Sequence, residues 1–475
     1  MAFQFDRVGV AAVVERAGVL IGLHPFQEDV EPSISGWRRG WRFVWRRWIG
    51  DRRWQVKLRF EQTRQMVAEI RRCMKPSHKP TLVYLIPYDI SKMRSGGAKR
   101  ITGIAKALSN KFSVFILTPI LSSENSFVVH LNSDCRLVGI SVDSEFVEQR
   151  RTQPSVSGAG IFDVADYFYL LPTFQKVLDI LAGSAHVWGF ASPAGWPVVQ
   201  RYWKKKESVF YDAHDDYPHF LQSAFGCTDE RLIQRMIHLE GEALGQVEVA
   251  SFCTTSDLES ALSRFPANEK KMIMVPNGVN VRDCRAFNPA QAKSFRLQAG
   301  MTKNVAVFVG AHHRPNLEAV DQIVSKLAPA FPSVVFVIVG IHFSVYRAAG
   351  GVEPCENVVF TGPVSEDTKE VIFALADVAL APMKSGTGSS LKIPEYIAHG
   401  KVVVGSPIGF RGFEELLRFS SIVADEDVQG AFARVLERFE QNPEYFTESC
   451  RDARQWIESH FDWTAATRTM LDRLD

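Results

Sequence analysis

Short apolar runs alternate with longer stretches of helical periodicity from Thr81 onward. This alternation is typical of parallel sheets whose strands are joined by crossover helices. A turn-rich stretch at 276–303 separates two series of predicted strands. The first series covers 81–87, 114–118, 186–190, 208–213, 250–254 and 272–276. The second covers 305–309, 334–339, 358–361, 378–381 and 402–405, with helices near 316–331, 365–376 and 389–399.

The two series predict an α/β chain with two successive domains. We assign 1–79 to an N-terminal extension, 80–285 to the first domain, 286–450 to the second, and 451–475 to a C-terminal helix. Open α/β sheets bind ligands beyond the carboxyl ends of their strands, so a ligand is expected in a cleft that both domains face.

The N-terminal extension is strongly basic. Residues 37–75 contain 13 Lys or Arg and 3 Asp or Glu, which gives this segment +10 and the remaining chain −8, within a net charge of +2. The segment predicts an amphipathic helix with tryptophans on one face and arginines on the other: Trp37, Trp41, Trp45 and Trp48 against Arg39, Arg42 and Arg46. Tryptophan favours the headgroup level of a bilayer and arginine favours anionic lipid, so we interpret the helix as lying in a membrane surface.

Two other interpretations of this segment stay open. The tryptophans could pack on the neighbouring domain with the arginines solvated, or a basic patch with aromatics could bind nucleic acid. The nucleic-acid interpretation lacks a recognisable module, so no nucleic-acid partner is expected.

Composition narrows the class of protein. Hydrophobic residues make up 46% and charged residues 23% of the 475 residues, as in ordinary globular proteins. The sequence contains neither a long uncharged apolar run nor a signal-peptide pattern, which predicts a cytoplasmic protein that is peripheral on the inner face of the membrane. The 7 cysteines are widely dispersed, which favours reduced thiols.

The loop from Pro382 to Glu395 carries the clearest local chemistry. Its glycines and small hydroxyl residues would let an anion approach the backbone, and Ser389 or Ser390 could cap the following helix. Lys392 could neutralise a phosphate, and Glu395 could accept hydrogen bonds from sugar hydroxyls such as those of a ribose. The pattern favours a diphosphate site, although an ordinary Gly-rich turn has the same local features.

A second group of polar residues follows the predicted strand at 208–213. Asp212, His214 and Asp215 lie at its carboxyl end, where the crevice of an α/β sheet is expected. A carboxylate paired with histidine can accept a hydroxyl proton, so we predict acid–base work or acceptor binding there; turn capping is the alternative. The glutamates Glu240, Glu242 and Glu248 are predicted to be solvated.

Several motifs in the second half occur in a fixed order. They are Phe308-Val309-Gly310 with Arg314-Pro315-Asn316, Val337-Ile338-Val339-Gly340, Val359-Phe360-Thr361-Gly362, Ala376-Asp377-Val378, the loop 386–395, and Gly400-Lys401-Val402-Val403. Over about Val305 to Asp427 this set resembles the C-terminal domain of the retaining GT-B glycosyltransferases of group 1 type. The resemblance implies two Rossmann-like domains, the first for the acceptor and the second for a nucleotide-sugar donor, with the last helix crossing back to the first.

The resemblance also implies roles for individual residues. Gly310 and Arg314 would lie near the phosphates, Gly362 and Val364 beside the base, Thr387, Gly388 and Ser389 on the diphosphate, and Glu395 on the ribose. Gly96 and Gly97 resemble the glycine turn that meets the donor phosphates from the first domain. Thr387 stands where many members carry a glutamate.

These observations predict a metal-independent hexosyltransferase. Its substrate would be a UDP-sugar or GDP-sugar, with no other cofactor, and its acceptor a lipid-linked or polysaccharide-precursor hydroxyl on an anionic membrane. Asp425-Glu426-Asp427 is assigned to a helix N-terminus rather than to a metal. A nucleotide-sugar epimerase of the same fold and a non-catalytic nucleotide-sugar-binding partner protein are the alternatives.

Overall fold

The computed structural model describes residues 63–74, 78–91, 96–120, 125–142, 168–225, 228–386, 388–442 and 444–474. The Trp-rich segment and Thr387 lie outside these described residues. The described chain forms two compact units. The C-terminal unit is Pro276–Ala466, and the N-terminal unit comprises the described residues from 63 to Val275 together with those from Thr467.

An eight-stranded sheet forms the centre of the N-terminal unit, in the order β3-β4-β2-β1-β5-β6-β7-β8. Its pairs are parallel except for β3 with β4. The central strands are apolar on both faces and fully buried, as expected for parallel strands covered by helices on both sides. The strands are β1 Thr81–Leu85, β2 Ser113–Ile120, β3 Phe127–His130, β4 Cys135–Ser141, β5 Ala185–Phe190, β6 Ser208–Ala213, β7 Val249–Phe252 and β8 Met272–Met274.

Helices cover both faces of this sheet. Residues 63–74 are helical and bury Met66, Val67, Ile70 and Cys73 in the same core as β1 and β2. The other helices are Gly96–Leu108, Pro172–Ala182, Trp196–Tyr202, Tyr217–Phe225, Glu230–Gln246, Thr255–Arg264 and, at the C-terminus, Arg468–Arg473.

The C-terminal unit contains a six-stranded parallel sheet in the order β11-β10-β9-β12-β13-β14. The strand order reverses between β9 and β12, and in doubly wound sheets the ligand crevice lies at that switch point, beyond the carboxyl ends of the strands. The strands are β9 Asn304–Val309, β10 Val334–Val339, β11 Val358–Gly362, β12 Val378–Ala381, β13 Val402–Gly405 and β14 Ile422–Ala424.

The helices of this unit connect the strands in the right order for a doubly wound fold. The helix that follows β9 continues through a π-helical turn at Ile323–Leu327 into Ala328–Ala330. Asp427 caps the helix after β14 by accepting from Gly430 N at 3.0 Å, in agreement with its predicted place at a helix start. The helices are Pro289–Gln298, Arg314–Gln322, Phe343–Ala348, Glu366–Leu375, Lys392–Ala398, Val428–Gln441, Thr447–His460 and Trp463–Ala466.

The two units divide at the start of the turn-rich stretch 276–303 and again near the C-terminus. The break falls between Val275 and Pro276 because 276–285 packs within the C-terminal unit, where Val279 N donates to Phe461 O at 2.9 Å. Near the C-terminus, Thr447–His460 stays in the C-terminal unit, and only residues from Thr467 join the N-terminal one. No helix among the described residues is long and apolar enough to cross a membrane.

Candidate functional site

Glycines end three adjacent strands of the C-terminal unit. Gly310 follows β9, Gly340 follows β10 with φ +92°, and Gly362 ends β11 with φ +66°. A Cβ on Gly340 would lie 2.5 Å from Gly310 O, and one on Gly362 would lie 2.4 Å from the His342 ring. Only glycine fits these close approaches, so the backbone itself forms this edge of the sheet. Val364, just beyond Gly362, packs partly buried against the core.

The loop after β12 contacts the side chain of Arg411, which the sequence analysis did not assign to the site. Gly386 has φ +144° and Gly388 has φ +61°. The Arg411 guanidinium lies against both: a Cβ on Gly386 would be 2.9 Å from its Nη2, and its Nε donates to Gly388 O. Ser390 N in turn donates to Arg411 O at 3.2 Å. Hydrogen bonds from the Arg411 guanidinium and to its backbone carbonyl therefore stabilise the conformation of this loop.

The end of this loop differs from the prediction. The helix begins at Lys392 with Leu391 at its N-cap position and no side-chain cap, so neither Ser389 nor Ser390 caps it. Ser389 Oγ instead accepts from the Asn277 side-chain amide at 2.7 Å. The Ser389 side chain is thus oriented by a residue that is distant in sequence but lies in the same unit.

Lys392 lies beside Arg411 in a partly buried position. Its Nζ donates to Asn316 Oδ1 at 2.8 Å and lies 4.1 Å from the centre of the Phe308 ring. Burial lowers the pKa of Lys392 to about 7, and repulsion by the Arg411 guanidinium adds to the effect. An anion placed here would stabilise the charged amine, so this position favours anion binding.

Arg314 is 90% exposed at the start of the helix that follows β9. Its Nε donates to Glu318 Oε1 at 2.9 Å, while Glu318 Oε2 accepts from Ser385 Oγ at 2.7 Å. Glu318 thereby ties the exposed guanidinium to the glycine-rich loop.

Glu395 lies almost one turn beyond Lys392. Its Oε1 pairs with Lys369 Nζ at 2.8 Å, and the same ammonium pairs with Glu366 at 2.5 Å. The side chains of Glu395 and Lys369 are 12% and 8% exposed. Burial opposes the charge of Lys369, yet the two carboxylates outweigh it and raise its pKa above its ordinary value. The Glu395 carboxylate is therefore held in place by the Lys369 ammonium.

Asp212 occupies the centre of a buried network in the N-terminal unit. It is the penultimate residue of β6, is fully buried, and has four neighbouring groups as hydrogen-bond partners. Burial alone would raise the pKa of Asp212, but the nearby Arg100 and His214 outweigh it and hold the pKa well below its ordinary value. The contacts are Tyr84 Oη at 2.7 Å, Arg100 Nη2 at 2.6 Å, Ser251 Oγ at 2.8 Å and His214 Nε2 at 2.9 Å.

His214 is held at both ring nitrogens. An ionised Asp212 can only accept, so His214 Nε2 is the donor in their contact. The other ring nitrogen, Nδ1, lies 2.6 Å from the Tyr88 hydroxyl. Asp212 and Tyr88 thus fix the orientation of His214 from opposite sides of the ring.

The glycine turn predicted at Gly96 and Gly97 adjoins this network. Gly97 lies in the first turn of Gly96–Leu108, and a Cβ there would be 3.0 Å from Tyr88 Oη. The same helix carries Arg100, whose Nη1 also donates to Val275 O at 2.9 Å. The fold therefore brings Gly97, Tyr88 and His214 together.

The acidic residues after His214 have separate environments. Asp215 is half-buried beside His214 in the chain. Asp216 accepts from Ser260 Oγ at 2.5 Å and pairs with Arg264 at 2.9 Å. Arg264 also reaches Glu240, which is 1% exposed, and burial raises the pKa of Glu240 to about 7. The prediction of a solvated Glu240 is wrong, because its helix turns that position toward Tyr211; Glu242 and Glu248 are exposed as predicted.

Comparison with known proteins identifies part of the chain. Residues 303–442 match the family model described as glycosyl transferases group 1. We refer to residues 303–442, which are similar to the group 1 glycosyltransferases, as the group 1 domain. Residues 303–442 contain β9 to β14 and the loop with Lys392 and Arg411 described above.

The chain also has a curated relative. The alpha-galactosylglucosyldiacylglycerol synthase of Streptococcus pneumoniae (strain ATCC BAA-255 / R6) is 27% identical over 121 residues, which is 24% of this chain. The match spans 32% of the relative, about a third of its length.

Solved structures extend the likeness to both units. The sucrose-phosphate synthase of Thermosynechococcus elongatus has a TM-score of 0.60 at 16% identity, covering 82% of this chain and 97% of that one. The catalytic domain of starch synthase IV from Arabidopsis thaliana, bound to ADP and acarbose, has a TM-score of 0.59 at 12% identity, covering 83% and 99%. Anabaena HepE in complex with UDP and glucose has a TM-score of 0.53 at 15% identity, covering 83% and 99%. The chain therefore has the GT-B fold, as the motif order predicted.

Several residues of the described site carry no sequence signal that singles them out. Arg411 and Lys369 lie far along the chain from the residues they contact, and Tyr88 follows a strand without a recognisable motif. The signal that could have indicated Arg411 is its position. It is a basic residue in the loop after β13, at the same sheet edge as the glycine-rich loop.

Proposed function

We propose that the protein is a glycosyltransferase that moves a sugar from a nucleoside diphosphate to a hydroxyl of a lipid-linked or polysaccharide-precursor acceptor. The observation that carries the proposal is the loop of the group 1 domain beyond β12. There Gly386 and Gly388 adopt positive φ beside Arg411, and Lys392 follows with its pKa lowered to about 7. Open backbone and two cations at a sheet switch point form a suitable cradle for a diphosphate.

The donor is assigned to the C-terminal unit. Lys392 and Arg411 would offset the negative charge that develops on the leaving diphosphate, and the exposed Arg314 would add to them. Glu395, held by its ion pair with Lys369, would accept hydrogen bonds from the ribose hydroxyls. The base would lie beside Gly362 and Val364. Because two or three cationic side chains supply this charge, we propose a metal-independent reaction with a UDP-sugar or GDP-sugar.

The acceptor is assigned to the N-terminal unit. His214, oriented by Asp212, and the half-buried Asp215 would bind the acceptor or take its hydroxyl proton. Asp212 itself is fully buried and saturated with hydrogen bonds, so we assign it a positioning role rather than contact with substrate. A retaining outcome is proposed from the motif order of the group 1 domain.

A lipid acceptor is supported by two independent features. The Streptococcus pneumoniae relative is, by its name, a synthase of a diacylglycerol glycolipid. The sequence of 37–75 combines a charge of +10 with a row of tryptophans, which suits attachment to an anionic leaflet. We therefore propose a cytoplasmic enzyme that is peripheral on the inner face of the membrane.

A thermal-shift experiment with a matched pair of variants tests the donor assignment. UDP, GDP, ADP and their sugar conjugates are added to the full chain, to Glu395→Gln and to Glu366→Gln. Both carboxylates pair with Lys369, but Glu366 is 81% exposed and is not assigned to the ribose. We expect one nucleotide to raise the melting temperature of the wild type and of Glu366→Gln, and the shift to be mostly lost in Glu395→Gln.

The other outcomes separate the alternatives. Absence of any shift in the folded wild type would contradict the transferase. Donor conversion without acceptor would identify an epimerase. Binding of a nucleotide-sugar without turnover on membrane lipid extracts would identify a non-catalytic partner protein.

A further inference from the structure

Three side chains of metal-ligand type converge in the N-terminal unit, outside the groups assigned above. Glu69 and Cys73 lie on helical residues 63–74, one turn apart, and His130 ends the edge strand β3. The Cys73 Sγ lies 3.7 Å from His130 Nε2 and 3.8 Å from Glu69 Oε1, and the last two atoms are 3.8 Å apart. The three atoms therefore form a nearly equilateral triangle.

The size of this triangle matches the coordination sphere of a zinc ion. A point at the centre of such a triangle is about 2.2 Å from each corner, and zinc bonds to nitrogen, oxygen and sulfur span about 2.0–2.3 Å. An ion slightly above the plane would leave a fourth tetrahedral position. Thiolate, imidazole and carboxylate together favour zinc over magnesium or calcium, which prefer oxygen ligands alone.

The surroundings hold these atoms in place and leave room on one side. Arg72 pairs with Glu69 Oε2, which leaves Glu69 Oε1 for the ion. Cys73 is buried, whereas the side chains of Glu69 and His130 are 33% and 49% exposed. A cavity of about 270 Å³ adjoins the group, lined in part by Glu69, Met66 and Phe127. Water can therefore reach the open coordination position.

We propose that Glu69, Cys73 and His130 bind Zn²⁺ and thereby clamp helical residues 63–74 onto strand β3. The hydrophobic side of these residues already packs into the core of the unit through Met66, Val67 and Ile70. The ion would add a link at the sheet edge, where β3 is a strand of only 4 residues with partly exposed side chains. The site goes beyond the proposed transferase reaction and does not depend on it.

Cobalt substitution of the untagged full chain tests the site directly. Bound Co²⁺ is expected at one equivalent per chain with a thiolate-to-cobalt charge-transfer band, and added Zn²⁺ should displace it. The band should disappear in Cys73→Ser. In His130→Ala, an exposed position whose loss does not endanger folding, the Zn²⁺ dissociation constant should rise at least about tenfold.

Cys284→Ser is the matched control. Cys284, Glu370 and His399 form the other group of ligand atoms within 4.8 Å of one another among the described residues. The band should be unchanged in Cys284→Ser, and Zn²⁺ should raise the melting temperature of the wild type but not of His130→Ala. A band that is lost in Cys284→Ser and kept in Cys73→Ser, or no Co²⁺ or Zn²⁺ bound to folded wild type, would overturn the proposal.

Discussion

Lys392 makes the binding of a negatively charged ligand depend on pH. In the free protein its pKa is lowered to about 7, mainly by burial and then by Arg411, so most of the amine is neutral above that pH. A bound diphosphate favours the charged form and raises the pKa again. Binding should therefore take up a proton above pH 7, and affinity should fall as the pH rises from 7 toward the pKa of the complex.

Calorimetry of nucleotide binding in two buffers of different ionisation enthalpy measures this uptake. At pH 8 we expect close to one proton per nucleotide for the wild type. In Lys392→Arg the guanidinium stays charged, so the uptake and the pH dependence should both largely disappear. Equal proton uptake by both proteins would show that another group titrates.

Some site residues could be predicted from the sequence and others could not, because the latter contact residues that are distant along the chain. The glycines, Lys392 and Glu395 fall within one loop-and-helix pattern and could be assigned from it. Arg411 contacts Gly388, and Lys369 contacts Glu395. Each pair is separated by more than twenty residues, so these contacts form only in the folded unit. The sequence wrongly predicts a solvated Glu240 for the same reason. Its hydrogen-bond donor Tyr211 and its ion-pair partner Arg264 belong to other elements.

At the scale of elements, the strands that could be predicted from the sequence are the uniformly buried ones. β10, β12 and β13 are continuous runs without polar side chains, and the structure places them at the predicted positions. β3 and β14 are only 4 and 3 residues long, and β4 is interrupted by Arg136 and Gly139, so their apolar pattern is too short or too broken to be recognised. The strands that position the site were therefore predictable, whereas β3, β4 and β14 were not.

A buried ion pair joins elements of the C-terminal unit at the opposite end of the strands from the donor loop. Arg296 Nη1 donates to Asp377 Oδ1 at 2.8 Å, and Val305 N donates to Asp377 Oδ2 at 2.9 Å. Both side chains of the pair are almost fully buried. Asp377→Asn would leave the guanidinium buried without its counter-charge, so we expect a loss of about 3–5 kcal/mol of unfolding free energy.

Urea unfolding measures this loss against an exposed pair. Asp425 pairs with Arg434, and their side chains are 34% and 61% exposed. Asp425→Asn should therefore cost no more than about 1 kcal/mol. If the two variants unfold at the same urea concentration, the Arg296–Asp377 pair does not stabilise the domain as the burial implies.

At the scale of the whole molecule, charge is distributed unevenly along the sequence. The +10 of residues 37–75 balances −8 elsewhere, so the chain can approach an anionic leaflet with its N-terminal extension while the remainder is repelled. We expect the full chain to float with vesicles that contain anionic phosphatidylglycerol but not with purely zwitterionic ones. Arg-to-Glu changes at 39, 42 and 46 should abolish flotation.

Salt and tryptophan substitution distinguish this mode of binding from simple charge attraction. Screening shortens the reach of the arginines to about 3 Å at 1 M salt, so a purely electrostatic complex would dissociate there. Insertion of Trp41, Trp45 and Trp48 at headgroup depth should instead retain part of the binding in high salt, and their replacement by alanine should remove that part. Flotation that is unchanged by both sets of substitutions would show that the Trp-rich segment packs on the protein and that lipid is bound elsewhere.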